Sequence, residues 1–156
     1  MIGSCMKRHA IAVAPETTAQ EAAQIVVSHH VGTLPVVDDM DVLVGVVRLD
    51  DLLRVFMPDF VALMDDIDFV HDFGASETLR PEDIPAAVHL TMRDLMQPPV
   101  AVDQTCGLLR AFATMTKHGI RDLPVVNRAG ALVGIASRVD IAAAFLASWT
   151  QPAPPT

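Results

Sequence analysis

The feature that most constrains the fold is an internal duplication, in which residues recur 89 positions further along the chain. Leu34–Val37 returns as Leu123–Val126, and Leu43–Gly45 returns as Leu132–Gly134. One offset kept over separate blocks indicates a repeated structural unit. Between residues 22 and 56, eleven positions are identical in both copies: Ala22, His29, Leu34, Pro35, Val36, Val37, Leu43, Val44, Gly45, Asp51 and Phe56.

Each copy has the pattern of a β-α-β-β-α unit. A short apolar run, Ala10–Val13 or Val100–Val102, precedes a helix predicted at 18–30 or 107–118. Threonines ahead of these helices are expected to cap them.

Two further apolar runs in each copy flank polar turn residues, which predicts a hairpin. A last helix is expected to begin near Asp51 in the first copy and near Asp140 in the second. Because a unit of about 50 residues buries too little surface alone, we expect the copies to pack sheet to sheet into one α/β body.

Composition excludes several classes of function. The net charge is −8, and aromatic residues make up 4%, so clustered cations and stacking platforms for nucleic acid or anionic membranes are absent. Cys5 and Cys106 stand alone, which argues against a disulfide framework. No apolar run has membrane-spanning length and no signal segment is recognised, so a cytosolic location is expected. No metal site is predicted.

The duplicated motifs resemble the cystathionine β-synthase (CBS) domain, present here as a tandem pair. The resemblance rests on Met92–Met96, Pro99–Val102, His118–Val126 and Gly134–Asp140, the last with the family pattern of Gly, two apolar residues, then Ser/Thr-x-x-Asp. It implies two copies related by a pseudo-two-fold axis, which regulate another protein and do not catalyse. It also implies clefts between the copies that bind AMP, ADP, ATP or S-adenosylmethionine, and frequent pairing into homodimers.

The resemblance places a nucleotide site around Ser137 and Asp140. A carboxylate at a helix start suits ribose hydroxyls, and the helix N-terminus suits an anion. No Gly-rich phosphate loop is present. The full set implied for this site is Ser137, Asp140, Ile11, Val31, Gly32, Thr33 and Arg121.

A second, weaker cleft is implied around Asp51, because Arg48 stands where the family pattern has Ser or Thr. Arg48 either binds a phosphate or folds onto Asp51 and plugs the cleft. The implied set is Arg48, Asp51, Val100, Ile120 and Asp122.

The segment between the copies is acidic. Residues 58–90 hold eight Asp and Glu against Arg80 alone, and 59–70 has the spacing of an amphipathic helix. Its apolar stripe packs on the module, on a second copy, or on a partner protein. The predicted division is repeat 1 at 1–57, a helical acidic insertion at 58–90, repeat 2 at 91–148 and a flexible tail at 149–156.

The sequence therefore predicts a regulatory CBS pair that senses an adenosine ligand and acts on an unidentified protein partner. Two other classes stay open at this stage. One is an oligomerisation or scaffold protein with filled clefts, and the other is a small nucleotide hydrolase, for which no activated nucleophile or metal cage is visible.

Overall fold

The computed structural model describes residues 1–56 and 85–150, which form an α/β fold of two similar copies. Short 3₁₀ helices lie at Ile2–Ser4 and Pro85–His89. In chain order the remaining elements are α1 (Ala19–His29), β1 (Thr33–Val37), β2 (Leu43–Arg48), α2 (Leu49–Phe56), α3 (Met92–Leu95), β3 (Val102–Asp103), α4 (Leu108–His118), β4 (Asp122–Val126), β5 (Leu132–Ser137) and α5 (Arg138–Thr150).

The two hairpins have the same register, as the duplication predicts. Thr33 pairs with Arg48 in the first copy, and Asp122 pairs with Ser137 in the second. Both hairpins have an irregularity one residue before the first strand ends, between Val36 and Val37 and at the equivalent Val125–Val126 step.

The predicted leading strands are shorter than expected. Only Val13 of the Ala10–Val13 run bridges β1, and β3 pairs with β4 in parallel over two residues. The prediction of a full strand at Ala10–Val13 is therefore wrong. Val13 bonds to the carbonyl of Pro35 and the N–H of Val37, and the next ladder bond would need an N–H that proline lacks.

The first helices of the two copies begin differently. Thr18 and Glu21 form a capping box at α1, as expected of a threonine cap. The equivalent prediction for α4 is wrong, because the residue before α4 is Gly107, which provides no side-chain cap. Thr105 instead donates its hydroxyl and N–H to the carboxylate of Asp103.

The copies exchange their leading segments. Ile2 and Met6 are buried in the core of the second copy with Met115, Leu123 and Ile141. The segment holds its place through backbone bonds, from Ile2 N–H to Cys106 O (2.8 Å) and from Lys7 N–H to Ile135 O (2.8 Å).

The reverse contact is made by the segment that follows the insertion. Met92 is buried in the core of the first copy with Val13, Leu34 and Leu52. Gln97 exchanges two backbone bonds with Val46. Each hydrophobic core therefore contains residues from both halves of the sequence.

Residues at the same position in the two copies meet across a pseudo-two-fold axis. Val42 bridges Ala131, and Leu43 N–H donates to Gly130 O (3.1 Å). The symmetric bond runs from Leu132 N–H to Asp41 O (2.9 Å). This arrangement confirms the predicted fold class of two repeats about a pseudo-two-fold axis. Of the predicted helical insertion at 58–90, residues 58–84 lie outside the described residues.

Candidate functional site

A cleft of about 310 Å³ lies between the two copies, where β1, β2 and β4 present their ends. It contains six residues of the two predicted sites. The lining residues are Gly32, Thr33, Arg48, Leu49, Asp50, Gly119, Ile120, Arg121 and Asp122. Binding pockets for small ligands begin at roughly 300 Å³, so the cleft has room for one compact ligand.

A hydrogen bond between the copies joins two residues that line the cleft. Thr33 donates its hydroxyl to the Asp122 carboxylate over 2.8 Å, and the two residues occupy equivalent positions. The bond engages one oxygen of Asp122, so the carboxylate is oriented toward the first copy. The cleft is therefore built on the axis that relates the copies.

Two arginines from different copies line this cleft. Arg48 ends β2 and Arg121 directly precedes β4. Within residues 1–56 and 85–150, neither guanidinium makes a hydrogen bond or ion pair, and Arg48 does not fold onto Asp51. The cleft thus holds two cationic groups that are available to a ligand, together with the carboxylates of Asp50 and Asp122.

The junction between β5 and α5, here called the Asp140 junction (Ser137–Asp140), is a closed capping arrangement. Asp140 Oδ2 accepts from the N–H (2.8 Å) and the hydroxyl (2.7 Å) of Ser137, while Asp140 N–H donates to Ser137 Oγ (3.1 Å). Oδ1 accepts no bond within the described ranges, so one carboxylate oxygen is available to a sugar hydroxyl.

The helix N-terminus at this junction is largely satisfied. Arg138 N–H donates to Arg121 O (2.9 Å), and Asp140 N–H is taken by Ser137. Since these donors are already used, the expected attraction of α5 for an anion is weaker than a free helix end would give.

The Asp51 junction (Arg48–Asp51) in the first copy has the same backbone pattern. Asp51 Oδ2 accepts from Arg48 N–H (2.9 Å), and Leu49 N–H donates to Gly32 O (2.9 Å). Arg48 has no hydroxyl to complete the arrangement that Ser137 makes.

The remaining predicted site residues do not line the cleft. Ile11 and Val31 pack against the core of the first copy, and Val100 packs against the core of the second. Asp51, Ser137 and Asp140 are half-buried at their junctions and do not line the 310 Å³ cleft.

Sequence reasoning missed the role of Arg138. Its guanidinium donates to Ile120 O (3.2 Å) and Met115 O (3.3 Å) and lies 5.7 Å from the centre of the Phe112 ring. It therefore ties the end of α4 to the Asp140 junction. The signal in the sequence is a cation at a position where the first copy has Leu49.

Sequence reasoning also missed that the exchanged leading segment brings Cys5 near Asp140. Burial raises the pKa of the Cys5 thiol, and the nearby Asp140 carboxylate raises that pKa further. Cys5 is thus a neutral thiol beside the predicted ribose carboxylate.

The described part of the chain contains neither a candidate metal-ion site nor a candidate membrane-spanning helix. Residues 1–56 and 85–150 contain no group of three His, Cys, Asp or Glu side chains placed to hold a metal ion. The helices within those ranges are too short or too polar to cross a bilayer. The acidic residues of the insertion between Asp59 and Asp83 lie outside the described residues.

Comparison with known proteins gives one family. The CBS domain family matches residues 2–58 and 92–147. The crystal structure of the CBS-pair protein CBSX2 from Arabidopsis thaliana is 28% identical, with a TM-score of 0.74 and 97% of each chain covered. CBSX2 in complex with AMP is 30% identical, with a TM-score of 0.71, and the match covers 95% of this chain and 97% of that one.

Two curated relatives are longer than this chain. An uncharacterized protein of Methanopyrus kandleri, MK0525, is 28% identical over 141 residues, which are 90% of this chain and 60% of the relative. The chloroplastic CBSX2 of Arabidopsis thaliana is 32% identical over 144 residues, with 86% of this chain and 58% of the relative covered. The chain thus spans about three fifths of their length.

Proposed function

Because this chain belongs to the CBS domain family, we propose that it is a regulatory module that binds an adenosine nucleotide between its two copies. The observation that carries the proposal is a pair of guanidiniums, Arg48 and Arg121, which line one cleft from opposite copies and have no partner within residues 1–56 and 85–150. The AMP complex of CBSX2, at 30% identity, supports an adenosine ligand.

In this proposal the ribose lies at the Asp140 junction, which is outside the 310 Å³ cleft but is joined to its wall by the bond from Arg138 N–H to Arg121 O. Oδ2 of Asp140 is already bonded to Ser137, so Oδ1 accepts from the sugar hydroxyls. The half-buried apolar residues Ile11 and Val31, with Gly32 and Thr33, provide the flat surface that a base needs.

The phosphate lies toward the arginines. The backbone carbonyl of Arg121 accepts from Arg138 N–H within the Asp140 junction, so we assign Arg121 the main role toward the phosphate, and Arg48 lines the same cleft from the other copy. A monophosphate carries about two negative charges, which two free guanidiniums favour. We therefore expect AMP, ADP and ATP to bind more tightly than S-adenosylmethionine, whose sulfonium is cationic.

Regulation follows from the position of the cleft. Residues of both copies line it and the Thr33–Asp122 bond joins them there, so a ligand in the cleft contacts both copies and favours one angle between them. A ligand shifts such an equilibrium only by its difference in affinity for the two states. We propose that a separate protein partner reads this angle, and that the protein is a cytosolic homodimer without catalytic activity.

Calorimetry with AMP, ADP, ATP, S-adenosylmethionine and adenosine tests the proposal. We expect Asp140→Asn to weaken AMP binding at least about tenfold, the scale of a hydrogen bond to a charged group. Asp51→Asn is the matched control, because Asp51 caps its helix through an equivalent bond, and it should change AMP affinity by less than about threefold.

Two results would contradict the proposal. The first is that none of the five ligands binds at high micromolar concentration, which would favour the scaffold function. The second is that Asp140→Asn and Asp51→Asn have equal effects on AMP affinity while both variants remain folded by circular dichroism.

A further inference from the structure

Arg138 supports, from outside the cleft, the stretch of chain that carries Arg121. The second-copy wall is defined here as residues 119–122, all of which line the 310 Å³ cleft, whereas Arg138 does not line it. The guanidinium Nε of Arg138 donates to Ile120 O (3.2 Å), and the backbone N–H of Arg138 donates to Arg121 O (2.9 Å). Two consecutive carbonyls of the second-copy wall are therefore bonded to one residue that stands behind it.

The same guanidinium fixes the second-copy wall to the end of α4. It donates to the carbonyl of the buried Met115 (3.3 Å) and lies 5.7 Å from the centre of the Phe112 ring. A cation suits the C-terminal carbonyls of a helix, and a charged donor makes a stronger hydrogen bond than a neutral one. Ile120 N–H donates to the same Met115 carbonyl (3.0 Å). Ile120, next to Arg121 in the chain, is thus held at both its N–H and its carbonyl.

The first copy has no equivalent support. Leu49 stands at the position of Arg138, and its side chain lines the cleft and has no hydrogen-bond donor. Its backbone N–H donates to Gly32 O (2.9 Å), as that of Arg138 donates to Arg121 O. Both copies therefore share the backbone bond, and the side-chain bonds to the cleft wall are specific to the second copy.

We propose that Arg138 is a positioning residue that holds Arg121 in place for the phosphate of the bound nucleotide. This inference rests on the proposed function and adds to it what sets the preference for phosphorylated ligands. The Arg121 side chain is exposed and has no partner within residues 1–56 and 85–150, so its location depends on the backbone that carries it. A group that is already in place loses less conformational freedom when the ligand binds. Adenosine has no phosphate and gains nothing from this support.

Arg138→Leu tests the proposal, because it installs the residue that the first copy has at this position. The Asp51 junction keeps both of its backbone bonds with Leu49 there, so the Asp140 junction should keep its own. In calorimetry on the full-length protein, the variant should bind AMP about tenfold more weakly than the parent, the scale of a hydrogen bond from a charged group. Its affinity for adenosine should stay within about twofold of the parent, because residues 137–140 retain their bonds.

Two further variants separate position from charge. Arg110→Leu removes the same charge from an exposed site on α4 that does not line the cleft, and it should change AMP affinity less than about twofold because salt screens distant exposed charges. Arg138→Lys keeps the charge but lacks the planar fork that bonds two carbonyls. It should bind AMP about threefold more weakly than the parent, because one of the two bonds is recovered.

A double variant tests whether Arg138 acts through Arg121. If it does, Arg121→Gln with Arg138→Leu should bind AMP no more weakly than Arg121→Gln alone, since residues that act as one unit are not additive. Hydrogen exchange of the ligand-free protein gives a second measurement. Ile120 N–H should exchange faster in Arg138→Leu than in the parent, while His30 N–H, at the end of α1, should not change.

The possible failures can be told apart. A parent protein that binds none of AMP, ADP and ATP would overturn the proposed function and this inference with it. If the parent binds AMP and Arg138→Leu keeps the parent's ratio of AMP to adenosine affinity, the inference alone is wrong. Additive losses in the double variant would also overturn it, because Arg138 would then act independently of Arg121. Should Arg138→Leu fail to fold, parent-like AMP affinity of Arg138→Lys would show that charge and not position matters.

Discussion

The Asp51 junction and the Asp140 junction have the same backbone and different chemistry. In both, an aspartate accepts the N–H of the residue three positions earlier, over 2.9 Å at Asp51 and 2.8 Å at Asp140. Only Ser137 adds a hydroxyl to its aspartate, while Arg48 leaves its guanidinium in the cleft. The capping geometry is therefore needed for the fold, and the residue at 48 or 137 determines what each junction offers a ligand.

The arginines are also distributed unequally. Arg121 has glycine, Gly32, at its equivalent position, and Arg48 has Ser137. Each copy thus contributes one arginine to the cleft, Arg48 at the end of β2 and Arg121 just before β4. A duplicated scaffold can in this way build one asymmetric site instead of two equal ones.

The largest expected difference in stability between the copies concerns Gly134 and Gly45, the glycines against which the exchanged segments pack. A methyl group at Gly134 would lie 2.7 Å from Lys7 O, a carbonyl already bonded to Ile135 N–H. We expect Gly134→Ala to lower the free energy of unfolding by roughly 3 kcal/mol, because backbone cannot move aside without breaking that pairing.

Gly45→Ala is the matched substitution in the first copy. There the methyl group meets the Met96 side chain, with Sδ at 2.5 Å and Cβ at 2.9 Å. Since the Sδ and Cγ of Met96 can move aside while its Cβ moves only with the backbone, we expect a smaller loss than at Gly134, roughly 1–2 kcal/mol. Urea unfolding of both variants measures the difference, and equal losses would show that the two exchanged segments are packed equally tightly.

The second prediction separates the two arginines. Arg121→Gln should weaken AMP binding about tenfold, because it removes the cation whose backbone is bonded to the Asp140 junction. Arg48→Gln should weaken it about threefold, since that group acts from across the cleft. Adenosine, which has no phosphate, should bind both variants as it binds the parent. Calorimetry measures the AMP affinity of both variants. A larger loss of affinity for Arg48→Gln would indicate that the ligand binds at the Asp51 junction instead.

Much of this architecture could be predicted from the sequence, because repeats, hairpins and helices leave local patterns. The 89-residue offset located both hairpins, and helical spacing located α1 and α4 within one or two residues. The exchange of leading segments could not be predicted, since nothing local in Ile2 or Met92 tells which core each one enters. The same holds for Arg138, whose partners Met115 and Ile120 are set by tertiary packing.

The third prediction concerns the ends of the first helices. His30 follows α1 in the left-handed conformation (φ 53°), and Gly119 follows α4 in the same conformation (φ 62°). Because glycine adopts this conformation without steric cost, His30→Gly should raise the free energy of unfolding by about 0.5–1 kcal/mol. Gly119→Ala should lower it by about 1 kcal/mol. Thermal unfolding measures both, and destabilisation by His30→Gly would indicate an unrecognised role for the imidazole.

The smallest expected difference concerns the beginnings of the same helices. The N–H and hydroxyl of Thr18 hold the pKa of Glu21 below its usual value of 4.5, whereas Gly107 gives α4 no side-chain cap. A carboxyl whose folded pKa is depressed stabilises the fold above its unfolded pKa, and this contribution is lost as pH falls through the folded value. Hydrogen exchange should therefore show the first turn of α1 losing protection below about pH 4.5. Before α4 the carboxyl with a lowered pKa is Asp103, which bonds to Thr105 in the preceding loop, so we expect the acid-sensitive change there in the loop and a smaller one at the first turn of α4. Glu21→Gln keeps the capping geometry without the charge, so it should remove the pH dependence at α1; if the dependence persists, a carboxyl other than Glu21 controls this turn.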